Sequence, residues 1–168
     1  MIETQKISIK LRLLSMLLDH FFICFITIPP IVLLDHLLPV RTLDNYWFPL
    51  IFIIYLNKDF AKGKSIAKRI LGLRIVDHKT GETANEWQCF LRNIFTMLWP
   101  IEVLFTLFSP TRKIGDYLAS THIRRSKEEK IFSIITDMKE FRMSITTLWL
   151  VISSIGYGIL VYFISQFL

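Results

Sequence analysis

Residues 13–34 read LLSMLLDHFFICFITIPPIVLL, and this stretch determines what kind of fold the chain can have. At about 1.5 Å per residue, a helix of this length crosses a hydrocarbon core of about 30 Å. Pro29 and Pro30 are expected to kink or end the helix near its far end. The apolar run exceeds a typical signal-peptide core and lacks an A-x-A-like cleavage site, so it predicts a retained transmembrane helix.

Three further apolar runs follow, at residues 46–56, 94–109 and 145–168. The first is short for a span, the second carries Pro100 and Glu102, and the third is a clean span. Hydrophobic residues make up 52% of the chain. These runs predict an all-α membrane protein with three full transmembrane helices plus a short re-entrant or fourth membrane segment.

The basic residues indicate an orientation. They crowd into the linkers 58–92 and 109–143, while the loop 36–46 carries only Arg41. Because Lys and Arg are retained on the cytoplasmic side, the N-terminus and both basic linkers are expected there. This favours a re-entrant third segment that turns near Trp99 and Pro100, and the alternative is four full spans with a basic outer loop. The net charge of +6 is matched to anionic lipid headgroups and not to nucleic acid.

The linkers show local patterns of their own. Ser126 and Glu129 form a capping-box pattern that predicts a cytoplasmic amphipathic helix over 126–143. Residues 64–73 predict a second such helix, with Lys64, Lys68 and Arg69 on its polar face. Residues 73–76 and a turn at 78–81 predict a small β-hairpin. We therefore divide the chain into a membrane domain at 8–125, the amphipathic helix at 126–143 and a transmembrane helix at 144–168.

Asp19 is the most informative residue, because an aspartate at the centre of a membrane helix costs about 2.5–3.5 kcal/mol. Arg12 lies two turns earlier on the same face and is its nearest candidate partner, although it could also reach lipid phosphate. Three interpretations remain open: an ion pair that locks helices together, a cation- or proton-binding carboxylate, and a protonated silent side chain.

Other polar groups are less informative. Glu102 is either shallow and hydrated, or deep and paired with Arg12 or Arg92. A metal site built from the two Asp-His pairs that end at His20 and His36 is disfavoured, since their spacing places them on nearly opposite faces. No nucleophile–base arrangement and no zinc motif occur in the sequence, so we predict no enzyme activity, no metal and no cofactor.

Several motifs along the chain resemble, in the same order, those of one known family. Arg12 and Asp19 match its opening, and residues 63–77 (GKSIAKRILGLRIVD) match its middle block, with departures at Ser65 and Ala67. Arg92-Asn93 precedes an apolar segment as in the family, and residues 115–121 (GDYLAST) match its late aspartate element. These motifs cover about residues 8–125, and together they resemble the RDD family of bacterial membrane proteins.

The resemblance implies a bacterial cytoplasmic (inner) membrane protein in which Arg12, Asp19 and Asp116 form a polar network or ion-binding set. The secondary candidates are Glu102, Arg92, Lys68 and Arg69. One hypothesis is a membrane scaffold or accessory subunit with a buried Arg/Asp network, in contact with other membrane subunits. The alternative is a small cation/proton-coupled transporter that works as a homo-oligomer.

Overall fold

The computed structural model describes residues 7–37, 44–109 and 112–166, and most of them are helical. In chain order the elements are α1 (Ile9–Leu37), α2 (Asp44–Asn57), α3 (Ile66–Ile70), β1 (Leu73–Asp77), α4 (Glu86–Asn93), a 3₁₀ helix (Ile94–Leu98), α5 (Trp99–Phe108), α6 (Ile114–Leu118), β2 (Thr121–Arg125), α7 (Ser133–Lys139) and α8 (Ile145–Ser165). The predicted outer loop at 36–46 lies mostly outside the described residues.

Two helices in the described part of the chain, α1 and α8, are long and apolar enough to cross a membrane. Pro29 and Pro30 do not end α1, which continues to Leu37. The pair Glu86–Thr96 and Pro100–Phe108 is bent by 108°, the geometry of a broken span or a re-entrant loop, and the bend falls where the sequence predicted it. Helix α2 has 14 residues and contains Pro49, so the predicted third full span is not confirmed.

The two strands form one antiparallel sheet in which Leu73 faces Arg125 and Asp77 faces Thr121. The predicted hairpin is therefore wrong, because β1 pairs with β2 and not with the segment that follows the turn at 78–81. The turn at 78–81 does form, but the returning chain makes only an isolated bridge between Val76 and Thr83. Asn85 then caps α4 in a capping box. The chain therefore enters α4 directly after the turn, and no hairpin strand forms among the described residues next to the turn.

The linker helices differ from the prediction. Helix α7 begins at Ser133 and not at Ser126, because the Glu129 carboxylate binds Arg69 in place of closing a capping box. Helix α3 has only five residues and is capped by Ser65. Lys64, Lys68 and Arg69 are buried, so they do not form the predicted polar face toward lipid headgroups.

Helix α1 buries its polar side. Its buried residues recur three or four positions apart and are Arg12, Ser15, Asp19, Ile23 and Thr27. The opposite face exposes large apolar side chains such as Leu17, Phe21 and Phe25. In water this pattern would be reversed, so it indicates lipid outside and a polar interior.

The start of α1 packs on the polar cap, by which we mean residues 58–85 and 112–142. Ile7, Leu73 and Ile123 form a buried apolar cluster there, and Leu11 packs against it. Elsewhere α2 packs along α8, with Gly158 so close that a Cβ would lie 2.6 Å from Ile53 Cδ1. The chain thus holds the polar stripe of α1 over the cap and leaves apolar faces outside.

Candidate functional site: a buried charge network

Arg12 pairs with Asp116, which lies 104 residues further along the chain. Arg12 Nη2 donates to Asp116 Oδ2 over 2.8 Å, and the two side chains are 2% and 0% exposed. The predicted pairing of Arg12 with Asp19 is therefore wrong. Side chains on a helix lean toward its N-terminus, so the Arg12 side chain extends away from Asp19.

Asp116 binds two arginines at once. Its Oδ1 lies 2.9 Å from Arg92 Nε and accepts a hydrogen bond from Thr121 Oγ1 over 3.0 Å. Its Oδ2 also accepts a hydrogen bond from the Lys113 backbone N–H at the start of α6, so Asp116 caps that helix as well. Burial alone would raise the pKa of Asp116, but Arg92, Arg12 and Lys113 outweigh burial and hold its pKa well below 3.8.

Asp19 is held by two lysines of the polar cap. Lys58 Nζ lies 3.1 Å and Lys68 Nζ 2.9 Å from Asp19 Oδ2. Lys68 also donates to Asp59 Oδ1 over 2.8 Å, and Asn93 Nδ2 donates to Asp59 Oδ2 over 3.1 Å. Burial would raise the pKa of Asp59, but Lys68, Arg92 and Lys58 lower it. The Asp19 charge is thus compensated without Arg12.

Glu102 is buried at 2% exposure, so its interpretation as a shallow hydrated acid is wrong. Its partner is neither Arg12 nor Arg92 but Lys113, whose Nζ lies 2.7 Å from Glu102 Oε2. Burial lowers the pKa of Lys113 to about 8, against the opposing effect of Glu102. Lys113 is therefore mostly protonated at neutral pH.

Arg69 belongs to a separate group that joins α3 to α7. It contacts Glu129 and Asp137, each at 2.7 Å, and also donates to the backbone carbonyl of Ala61. Lys64 pairs with the same Glu129 carboxylate. Of the sequence candidates, the structure brings together Arg12, Asp116 and Arg92, and separately Asp19 and Lys68.

Sequence reasoning missed several members of the network. They are Lys58, Asp59, Lys113, Glu129 and Asp137. One signal was present: Lys58 and Asp59 lie two and three residues after the apolar run 46–56, and Lys113 lies shortly after the run 94–109. Charges that flank an apolar segment are normally attributed to the headgroup region, which hides those that turn inward.

A small cavity of about 20 Å³ lies between the two halves of the network. Its lining includes Arg12 and Arg92, which contact Asp116, together with Asp19, its partners Lys58 and Lys68, and Ser15 of α1. Among the described residues, no group of three or more His, Cys, Asp or Glu side chains is arranged to hold a metal ion. Of the ten described residues that line the cavity, five are cationic and one, Asp19, is anionic.

Long apolar helices with a buried polar stripe and a charged cap at one end define an α-helical membrane protein. The model of the RDD family matches residues 8–167, and the chain belongs to that family. The match extends past the motifs at 8–125 to include α7 and α8. No curated protein and no solved structure matched the chain significantly.

Proposed function

We propose that the protein is a non-catalytic membrane scaffold or accessory subunit in which the buried charge network fixes α1 on the polar cap. The observation that carries this proposal is the pairing of both family aspartates with two cations each, Asp116 with two arginines and Asp19 with two lysines. A cation that bound at either carboxylate would have to displace a buried guanidinium or ammonium group.

The network connects elements that are distant in sequence. Through Arg12 and Asp19, helix α1 is tied to α6, to α3 and to the end of α2. Removing one partner of a buried ion pair costs about 3–5 kcal/mol, because the other charge is left uncompensated. Such pairs tolerate few alternative packings, which favours a structural role over a mobile ion-binding role.

The polar cap also offers a surface for anionic lipid. Five basic side chains on its second half are exposed: Arg125, Lys127, Lys130, Lys139 and Arg142. Large apolar side chains in and just before α7 are also exposed: Phe132 by 75%, Ile135 by 50% and Met138 by 54%. Exposed apolar groups beside cations are typical of a helix at a membrane surface. We place this surface, and the N-terminus, on the cytoplasmic side of the bacterial inner membrane.

Cation/proton-coupled transport is the second candidate, and one feature favours it. A cavity of about 300 Å³, lined by apolar side chains that include Phe22, Ile26 and Ile54, reaches Asp19 and Lys58. If Lys58 and Lys68 released Asp19, a proton or cation could reach the carboxylate through this cavity. A chain with so few spans would need a homo-oligomer to complete a pathway.

Proteoliposomes separate the two functions. Wild-type protein and the variant Asp19→Asn are reconstituted with a pH-sensitive dye inside, and Na⁺ or K⁺ gradients are applied. The scaffold proposal expects no cation-coupled proton flux from the wild type and a lower unfolding temperature for Asp19→Asn. The control Asp35→Asn makes the same charge change on an exposed part of α1 and should unfold like the wild type. Flux that Asp19→Asn abolishes without loss of folding would establish transport instead.

A further inference from the structure

Two arginines share one carboxylate in the network. Elsewhere the charges balance, since Lys113 pairs with Glu102 and the two lysines Lys58 and Lys68 pair with Asp19 and Asp59. Five cations therefore meet four carboxylates, and one net positive charge is left. It is located at Arg12 and Arg92, which both contact Asp116.

The same two arginines have unused hydrogen-bond donors. Arg12 Nη1 and Arg92 Nη1 are buried and have no hydrogen-bond partner among the described residues. The hydroxyl of Ser15, which is 1% exposed and lies one turn after Arg12 on α1, is also without a partner there. Three buried donors thus lie beside an excess positive charge.

Arg12, Ser15 and Arg92 all line the cavity of about 20 Å³. This volume exceeds the about 10–15 Å³ that a single water molecule requires, so the cavity has room for one small particle. A water molecule would accept hydrogen bonds from the donors but would leave the charge uncompensated. Because an uncompensated charge in a protein interior is costly, the site favours a monatomic anion over water.

Two residues with oxygen acceptors, Asp19 and Asn93, line the cavity, and neither prevents an anion from binding there. Asp19 lines it, but the charge of Asp19 is matched by Lys58 and Lys68. Asn93 also lines it, with a buried Oδ1 that has no partner within the described chain, while its Nδ2 is engaged by Asp59 and the Leu56 carbonyl. Asn93 Oδ1 is uncharged, so its effect is small beside that of two guanidinium groups.

We infer that this cavity binds a halide ion, which Arg12, Arg92 and Ser15 hold by N–H and O–H donation. The halide supplies the fifth negative charge of the network and stabilises the junction between α1, α4 and α6. The inference does not rest on the scaffold proposal, since a transporter with the same network would bind the ion as well. The relevant measurement is stability, which is independent of the flux assay.

The test uses the full chain purified in sodium gluconate at constant ionic strength. Titration with chloride or bromide should raise the unfolding temperature along a saturable curve, because a ligand that binds only the folded state stabilises it. The variant Ser15→Ala should shift the midpoint to roughly tenfold higher halide, as expected for loss of one hydrogen bond to a charged group. The matched control Thr27→Ala removes a buried hydroxyl of α1 that donates to the Ile23 carbonyl, and it should leave the midpoint unchanged.

A second measurement uses only the wild-type protein, so it does not depend on whether a variant folds. Crystals of wild-type protein grown in bromide should show an anomalous peak between Arg12 and Arg92. A stability curve that is the same in gluconate and halide overturns the inference. So does a halide effect that Ser15→Ala leaves intact, or a bromide that binds only elsewhere.

Discussion

Arg12 Nη2 lies 2.8 Å from Asp116 Oδ2, although 104 positions separate the two residues. The contact joins the start of α1 to α6, and Arg92 of α4 approaches the same carboxylate. One aspartate therefore organises three helices, and it does so with a surplus of positive charge around it.

This surplus makes the two partners unequal. Asp116→Asn leaves two buried arginines without a counter-charge, and we expect it to lower the free energy of unfolding by about 3–5 kcal/mol. Arg12→Gln leaves Asp116 paired with Arg92, so the expected loss is smaller, about 1–3 kcal/mol. Chemical denaturation in detergent micelles measures both. Equal losses, or a larger loss for Arg12→Gln, would contradict the charge count.

Acid stability should depend on Asp116. Its pKa in the folded state is held below 3.8, so the carboxylate stabilises the fold above about pH 4 and this contribution is lost as the pH falls further. We expect the unfolding temperature of the wild type to drop below pH 4 more steeply than that of Asp116→Asn. Asp59, whose pKa is also lowered, keeps some slope in the variant. Parallel curves for the two proteins would show that Asp116 does not titrate as described.

Gly115 is needed because α6 touches α4. A Cβ at this position would lie 1.9 Å from the backbone carbonyl oxygen of Arg92, so Gly115→Ala forces the two helices apart. We expect a loss of several kcal/mol in stability, on the order of the larger overpacking effects. The matched control is Gly156→Ala in α8, where a Cβ would meet nothing within 4 Å and the substitution should be neutral or stabilising. Thermal unfolding of both variants checks the contact.

Membrane orientation can be measured with introduced cysteines. The native Cys89 is buried and cannot report on it, so both native cysteines are first replaced by alanine. Lys79→Cys lies in the exposed turn after β1 and should react with an impermeant thiol reagent only after the cells are permeabilised. His36→Cys, at the exposed far end of α1, should react in intact cells. The reverse pattern would place the N-terminus outside.

The two long apolar helices could be predicted from the sequence because they depend only on the length of a continuous apolar run. The thickness of the bilayer sets the length of an apolar run, so residues 13–34 and 145–168 predicted α1 and α8. A proline within the run at 94–109 likewise marked the bend between α4 and α5. The family motifs were also readable, and they predicted that Arg12, Asp19 and Asp116 belong to a buried set.

The sequence did not predict in the same way which side chains and strands pair with one another. Asp19 lies on the same stripe of α1 as Arg12, yet it pairs with Lys58 and Lys68, at separations of 39 and 49 residues. Strand β1 likewise pairs with β2, which follows α6 in the chain. Glu129 contacts Arg69 and does not cap a helix. The sequence by itself determined that α1 is long and apolar enough to cross a membrane and that it carries charges which need compensation. Only the tertiary structure decided which charges meet, because a side chain pairs with whatever the packing of distant elements brings within about 3–4 Å of it.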